Sequence, residues 1–418
     1  MTQALDVYLH HHLAGRLTQD EGGQMSFEYA SSWLQDQASM PLSHSLPLRR
    51  ERFRRKECAG FFGGILPEAS QREVVAKNLG ISARNDFAML QRIGGECAGA
   101  VTLMPAGEPF PERQDRYREL SNEELVDVVR TLPRRPLLAG VADVRLSLAG
   151  AQAKVAVKVS GDKISIPLHG ALSTHILKPG SEHFSGLVVN EMLCLSLARE
   201  AGLPTAKAEI RNIDRIDFLL IERYDRALAL SGDSEHYVRL HQEDFCQALG
   251  IVSDHKYQAE GGPSLKQCFD LLRELSTTPA IDLQYLLDAI IFNYLVGNND
   301  AHGKNFSIVY SSRIGLPAET RFSLLYDLVC TIYYPDLSRK MAMKIGGEYL
   351  ADDVRPVHFE KLAEEAGLGK PFVKRRIPEL ALSVIEGLGK IDLDGIPRSD
   401  IARIIEQRSR NALTRFAA

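Results

Sequence analysis

Apolar and polar positions change their rhythm along this chain. Residues 153–159 and 163–168 alternate apolar and polar, as half-buried strands do. Between them, Gly161-Asp162 has the residue types of a tight hairpin turn. Val7, Leu9 and Leu17 suggest an opening hairpin, with its turn expected at 12–15. Residues 174–177 read as a strand ending at Lys178-Pro179, and 207–211 and 217–223 as two more. Helical spacing appears at 68–79, with Gly80 as stop. It recurs at 121–132, with Ser121 as cap and Glu124 three residues later, and at 187–201, closing at Gly202. Beyond about residue 240 the helical rhythm dominates. The strongest case is 283–296, where Leu286, Leu287, Ile290, Tyr294 and Leu295 recur at helical intervals.

This order divides the chain. Pro105, Pro109 and Pro111 mark a boundary after a compact α+β segment, 1–110. A strand-rich segment with one main helix follows, 111–235, and then a mainly helical one, 236–418, which is the order of a two-lobed kinase. At 418 residues, 44% hydrophobic and 25% charged, the chain can bury a sizeable core without disulfides or structural metal. Its net charge of −4 excludes a polycation built to coat nucleic acid, so any DNA contact needs a local patch or a partner. The six cysteines include no CxxC pair and are expected as reduced thiols. No apolar run reaches membrane-spanning length, and the start carries no basic segment leading into an apolar one. The expected location is the cytoplasm. His10, His11 and His12 read as a solvated turn and not as a metal site, since no acidic or thiol ligands cluster beside them.

Phosphoryl transfer needs a lysine and backbone amides for phosphates, carboxylates for magnesium, and one carboxylate to receive the acceptor's proton. Candidates occur in that order. Residues 147–154, SLAGAQAK, place small residues between two strands, where backbone can approach a polyanion. Lys178 ends a strand and Glu191 lies thirteen residues on, in the following helix. Residues 221–225, IERYD, close an apolar strand whose backbone could pair with an adenine edge. An ion pair between Lys178 and Glu191 would hold the ammonium toward the phosphates, but each of these also reads blandly, as an ordinary turn, a surface lysine with a solvated helix glutamate, or a strand end. More specific is 297–306, GNNDAHGKNF, a polar loop directly after the apolar helix. Asp300 is the candidate base, Lys304 the partner of the transferred phosphate, and Asn305 a magnesium ligand. Asp327, read at the end of an apolar strand, is a second acid for the metal.

With these motifs, and with PLSHSLPL at 41–48, FFGGILP at 61–67, GGECAGAV at 94–101, THILKP, LHQEDFCQALG and LYDL, the chain resembles the HipA family over nearly its whole length. The resemblance implies a protein-kinase-like two-lobed fold, closer to lipid kinases than to typical eukaryotic protein kinases. It implies an N-terminal subdomain, a mixed kinase N-lobe and a mainly helical C-lobe. It implies serine/threonine phosphotransfer with ATP and Mg2+, with Asp300 as base and Asn305 and Asp327 as metal ligands. The nucleotide would be held by Ala149, Gly150, Ala151, Gln152, Ala153 and Lys154 of the phosphate loop, by Lys178, by the hinge Glu222, Arg223 and Tyr224, and by His302, Gly303 and Tyr326. Ser147 occupies the family's autophosphorylation position. Ala153 departs from the glutamate expected there, which bears on how the loop is anchored.

The resemblance also implies partners: a HipB-like helix-turn-helix antitoxin, operator DNA mainly through it, and a translation component such as glutamyl-tRNA synthetase as substrate. Lys374, Arg375 and Arg376 form the candidate DNA-facing run, although such a run is more often a solvated helix face. The alternative is a catalytically weak kinase-fold module that acts as a co-repressor with the antitoxin. A metal hydrolase would need His or Cys clusters that the sequence lacks.

Overall fold

The computed structural model describes residues 2–110, 116–231, 234–311, 318–391 and 400–416, so Pro111 of the expected boundary lies outside the described residues. The chain forms two compact units, each of α+β character. The first comprises Met1–Pro179, Arg211–Asp254 and Val309–Ser311; the second comprises Gly180–Ile210, His255–Ile308 and Ser312–Ala418.

The first unit opens with an antiparallel sheet ordered Phe53–Arg54, Met25–Tyr29, His12–Gln19, Gln3–Leu9, Val101–Pro105. Alternation puts Leu5, Val7, Leu9 and Leu17 in the core against Phe27, Phe53 and Phe62. The first turn differs from expectation. Leu9 faces His12 across the hairpin, so His10 and His11 make the turn, and His10 takes φ 55°. Gly15, expected in the turn, lies mid-strand opposite Tyr29, where an added Cβ would come within 2.6 Å of the Phe27 ring. The added Cβ would also run into the Glu28 carbonyl, so this glycine admits a close backbone and an aromatic ring and does not bend the chain.

A second sheet in this unit contains Ile216–Glu222, His175–Pro179, Val155–Ser160, Lys163–Pro167 and Tyr117–Glu119, in that order. The expected turn at Gly161-Asp162 is present, with Ser160 facing Lys163. Two helix signals also match. Ser121 and Glu124 form a reciprocal cap on Asn122–Thr131, and Ala69–Leu79 ends at Gly80 with φ 67°.

Buried within this unit is an ion network. The Arg223 guanidinium reaches Glu96 at 3.0 Å and Asp225 at 2.7 Å, and Arg226 reaches the same two acids at 2.5 and 3.0 Å. All four side chains are buried. Burial pushes the Asp225 and Glu96 carboxyls up, but the two guanidiniums outweigh it and hold both below the usual carboxylate range.

The second unit is mainly helical: Leu187–Glu200, Leu265–Leu275, Pro279–Val296, Pro356–Glu365, Lys370–Lys390 and Asp400–Phe416. Pro279–Val296 starts with Pro at its first position and stops at Gly297, φ 74°. Every residue from Leu286 to Val296 is buried, so this helix runs through the core and is not a one-faced surface helix. The helical reading of this region missed a small antiparallel pair, Lys340–Ile345 with Glu348–Leu350, which turns at Gly346-Gly347. Among the described residues, no helix is long and apolar enough to cross a membrane.

Candidate active site

In the first unit, Lys178 sits buried on its strand opposite Leu219. The loop before Val155–Ser160 is drawn inward. Ser147 is fully buried; its backbone N–H donates to the Glu96 carbonyl at 2.8 Å and its hydroxyl to the Ile65 carbonyl at 2.9 Å. Lys154 folds back over the loop, its ammonium donating to the Ala149 carbonyl at 2.9 Å. Gly150 takes φ 113°, and an added Cβ would collide with the Lys154 ammonium. Ala151 is exposed, Gln152 half-buried and Ala153 buried.

The expected hinge residues divide. Glu222 is half-buried at the strand end opposite His175. Tyr224 donates its hydroxyl to the Gln242 side-chain oxygen. Arg223 points the other way, its guanidinium held in the Glu96–Asp225 network, so its side chain is structural. Only its backbone remains for a ligand, and there its N–H donates to the Thr174 carbonyl at 2.9 Å.

In the second unit, Glu191 is buried in Leu187–Glu200. The polar loop after Gly297 is tied at nearly every residue. The Asp300 carbonyl accepts from the His302 backbone at 2.8 Å and from Asn305 Nδ2 at 3.0 Å. His302 caps the short turn Gly303–Asn305, and both Gly303 and Lys304 are buried. The Lys304 carbonyl accepts from the Tyr326 hydroxyl at 2.8 Å, and that hydroxyl lies 2.6 Å from Ser307 Oγ.

Asp327 does not end a strand. The preceding strand, Glu319–Phe322, stops short, and Leu325 makes only a single bridge to Thr205. Asp327 itself adopts φ 51°, a left-handed conformation that Asp tolerates better than most residues.

Two residues that the sequence did not single out for this site organise it. Asn298 Oδ1 accepts from the Asp300 backbone N–H at 3.2 Å. Its Nδ2 donates to Asn293 Oδ1 at 2.7 Å and reaches the Asp327 carbonyl at 3.4 Å. One side chain therefore links the two acid-bearing segments. Tyr257 donates its hydroxyl to Asp300 Oδ1 at 2.7 Å. Only the loop's polarity hinted at Asn298, and nothing near Tyr257 in sequence signalled its contact.

The basic run on Lys370–Lys390 also divides. Lys374 and Arg375 are exposed, Arg375 3.3 Å from Glu379. Arg376 grips Asp288 with Nε at 2.6 Å and a second nitrogen at 3.0 Å. Three equivalent outward cations were expected; the structure offers two.

The HipA N-terminal domain description matches residues 5–104, and the HipA-like C-terminal domain description matches 146–388. The chain is 45% identical to the kinase-like protein Y4mE of Sinorhizobium fredii over 93% of this chain and 92% of that protein. It is 29% identical to the serine/threonine-protein kinase toxin HipA of Shewanella oneidensis, over 94% and 92%. Its fold matches HipA of Shewanella oneidensis MR-1, solved with HipB and operator DNA. The TM-score is 0.81 at 26% identity, covering 99% of this chain and 96% of that one.

Proposed function

This chain belongs to the HipA family of kinases, and from that membership we propose that it is an ATP- and magnesium-dependent serine/threonine protein kinase, the toxin of a toxin–antitoxin pair. The observation that carries the reading is the Asn298 side chain, bonded on one side to the Asp300 backbone and reaching on the other to that of Asp327. That tie supports the reading, because it joins the segments of the proposed proton acceptor, Asp300, and the proposed metal ligand, Asp327.

The donor set fits the metal. Asn305 directs its amide nitrogen to the Asp300 carbonyl, so its oxygen is the end left for a ligand. With the Asp327 carboxylate this makes a hard, all-oxygen pair of the kind magnesium takes. Bound there, magnesium would offset the charge on the nucleotide's phosphates.

The chain's own groups do the rest. Asp300 takes the proton of the acceptor hydroxyl as its oxygen attacks the γ-phosphorus. Lys304 meets the transferred phosphate and Lys178 the remaining ones. Residues 149–154 cover the phosphates, and the Glu222–Tyr224 backbone borders the adenine. Ser147 is the self-modification site. Its buried place cannot hold a phosphate, which would bring about −1.5 to −2 charge against the Ile65 carbonyl, so modification ejects the loop. A HipB-like antitoxin, operator DNA reached mainly through it, and a translation component such as glutamyl-tRNA synthetase complete the reading. The Shewanella relative's complex with HipB and operator DNA supports the first two.

The test is phosphate transfer from ATP to Ser147 and to glutamyl-tRNA synthetase, with magnesium or with EDTA, for wild type and Asp300→Asn. Transfer should need magnesium and fall on the order of 10³-fold in the variant. A well-folded wild type that transfers no phosphate with magnesium would leave the co-repressor module as the reading.

A further inference from the structure

The Tyr257–Asp300 hydrogen bond has the geometry of a reaction partner. A general base and the hydroxyl it serves sit about 2.6–3.2 Å apart. The Tyr257 hydroxyl lies 2.7 Å from Asp300 Oδ1, within that range and on the side chain assigned to receive the acceptor's proton.

Both ends of the contact are held, and His302 touches each of them. The Tyr257 carbonyl accepts from the Glu260 and Gly262 backbones, each at 2.9 Å. Gly262 passes so close to His255 and Lys256 that an added Cβ would come within 2.6 Å of their backbone atoms. Gln258 accepts from the Lys344 N–H at 2.7 Å, which anchors the turn from outside. The tyrosine ring stands edge-on to His302 with centroids 5.5 Å apart. On the other side, the Asp300 backbone is pinned by His302, Asn305 and Asn298. Two hydrogen-bonded loops bring a hydroxyl to an exposed carboxylate.

We propose that Tyr257 is an acceptor stand-in: its hydroxyl occupies the position of the incoming serine or threonine hydroxyl on Asp300 and keeps water from that position until a protein acceptor displaces it. A kinase with an exposed base faces a competing reaction. Water attacks the γ-phosphorus, the bond to the β-phosphate oxygen breaks, ADP leaves, and the water's proton passes to the base. A tyrosine hydroxyl already bonded to Oδ1 takes that water's place at this oxygen. Tyr257 acts through Asp300, as a positioning residue.

The inference rests on the proposed kinase reading, and its test separates the two. Wild-type protein is first incubated with ATP and magnesium, and phosphate on Ser147 is measured. ADP release without any added acceptor is then compared in a Ser147→Ala background, so that self-silencing does not intervene. Adding Tyr257→Phe keeps the ring and removes the hydroxyl. ADP release should rise about tenfold to a hundredfold, the scale of one hydrogen bond to a charged group, while the KM for ATP stays unchanged. In an Asp300→Asn background the same change should do nothing. If wild type neither modifies Ser147 nor releases ADP, the kinase reading fails. If it does both, and Tyr257→Phe leaves ADP release unchanged or lowers it, only the stand-in role fails. Phosphate found on Tyr257 would also overturn that role, by making the residue a substrate.

Discussion

The Ser147 hydroxyl donates to the Ile65 carbonyl at 2.9 Å, and the serine has no exposed surface. A negative charge introduced there faces a carbonyl oxygen in a dry site. Ser147→Asp should therefore release residues 147–154, making them protease-sensitive and fast in amide exchange, and should weaken ATP binding. The cost of keeping the charge buried is several kcal/mol, more than the loop's few hydrogen bonds can hold. A Ser147→Asp protein with wild-type exchange across this loop would show that the loop accommodates charge in place.

Asn298 should behave as a structural tie with a catalytic consequence. Asn298→Ala removes the bonds to Asn293 and to the Asp300 backbone, at a cost of about 1–3 kcal/mol. It should cut phosphotransfer by more than it cuts stability, because Asp300 and the Asp327 segment lose their common support. Asp327→Asn should instead lose magnesium-dependent ATP affinity with little change in melting. Equal ATP affinity for that variant and wild type, in magnesium, would remove Asp327 from the metal site.

Glu243 carries a pH dependence. It is fully buried, and burial pushes its carboxyl up to about 7, against the opposing hydrogen bonds from Ser43, Tyr310 and the His44 backbone. A carboxyl raised in the folded state binds its proton more tightly there than when unfolded. Its favourable contribution is full below the ordinary value of 4.5 and is lost as pH rises through about 7. The loss is on the order of 3 kcal/mol. Glu243→Gln should flatten the fall in stability between pH 5 and 8. Parallel denaturation profiles for the two proteins would show that Glu243 is ionised throughout.

The basic run calls for a split test. Replacing exposed Lys374 and Arg375 with Ala should reduce the salt slope of operator binding by the toxin–antitoxin complex by about two units, uniformly across operators, and leave phosphotransfer intact. Arg376→Ala should act differently. It strips the partner from Asp288, whose carboxyl burial already pushes up, and should cost about 2 kcal/mol of stability. Unchanged salt slopes in the first variant would mean that the pair faces solvent in the complex.

Local signals were legible and distant ones were not. Ser121 with Glu124, Gly161-Asp162 and Gly80 act through neighbours a few residues away, and each does what its spacing implies. Gly15 misled because a glycine in a turn and one under an aromatic ring look alike in sequence. Arg223 lay in a motif that points to nucleotide, while its side chain answers to Glu96, 127 positions earlier. Tyr257 meets Asp300 across 43 positions. No periodicity encodes such pairings, because they are made when separate loops converge.

The Arg223–Glu96 pair has a consequence for truncated products. Glu96 lies in the stretch matching the HipA N-terminal domain and Arg223 in the stretch matching the C-terminal one. A product starting after residue 110 would strand Arg223 and Arg226 in the interior with Asp225 alone between them. Losing one side of a buried ion pair costs about 3–5 kcal/mol, a large part of what a domain has. Such a fragment should be cleared by proteases and not persist as a shorter kinase. In-frame genes lacking the first hundred codons should therefore be inherited as losses of function. Recombination that separates the two segments should therefore be selected against.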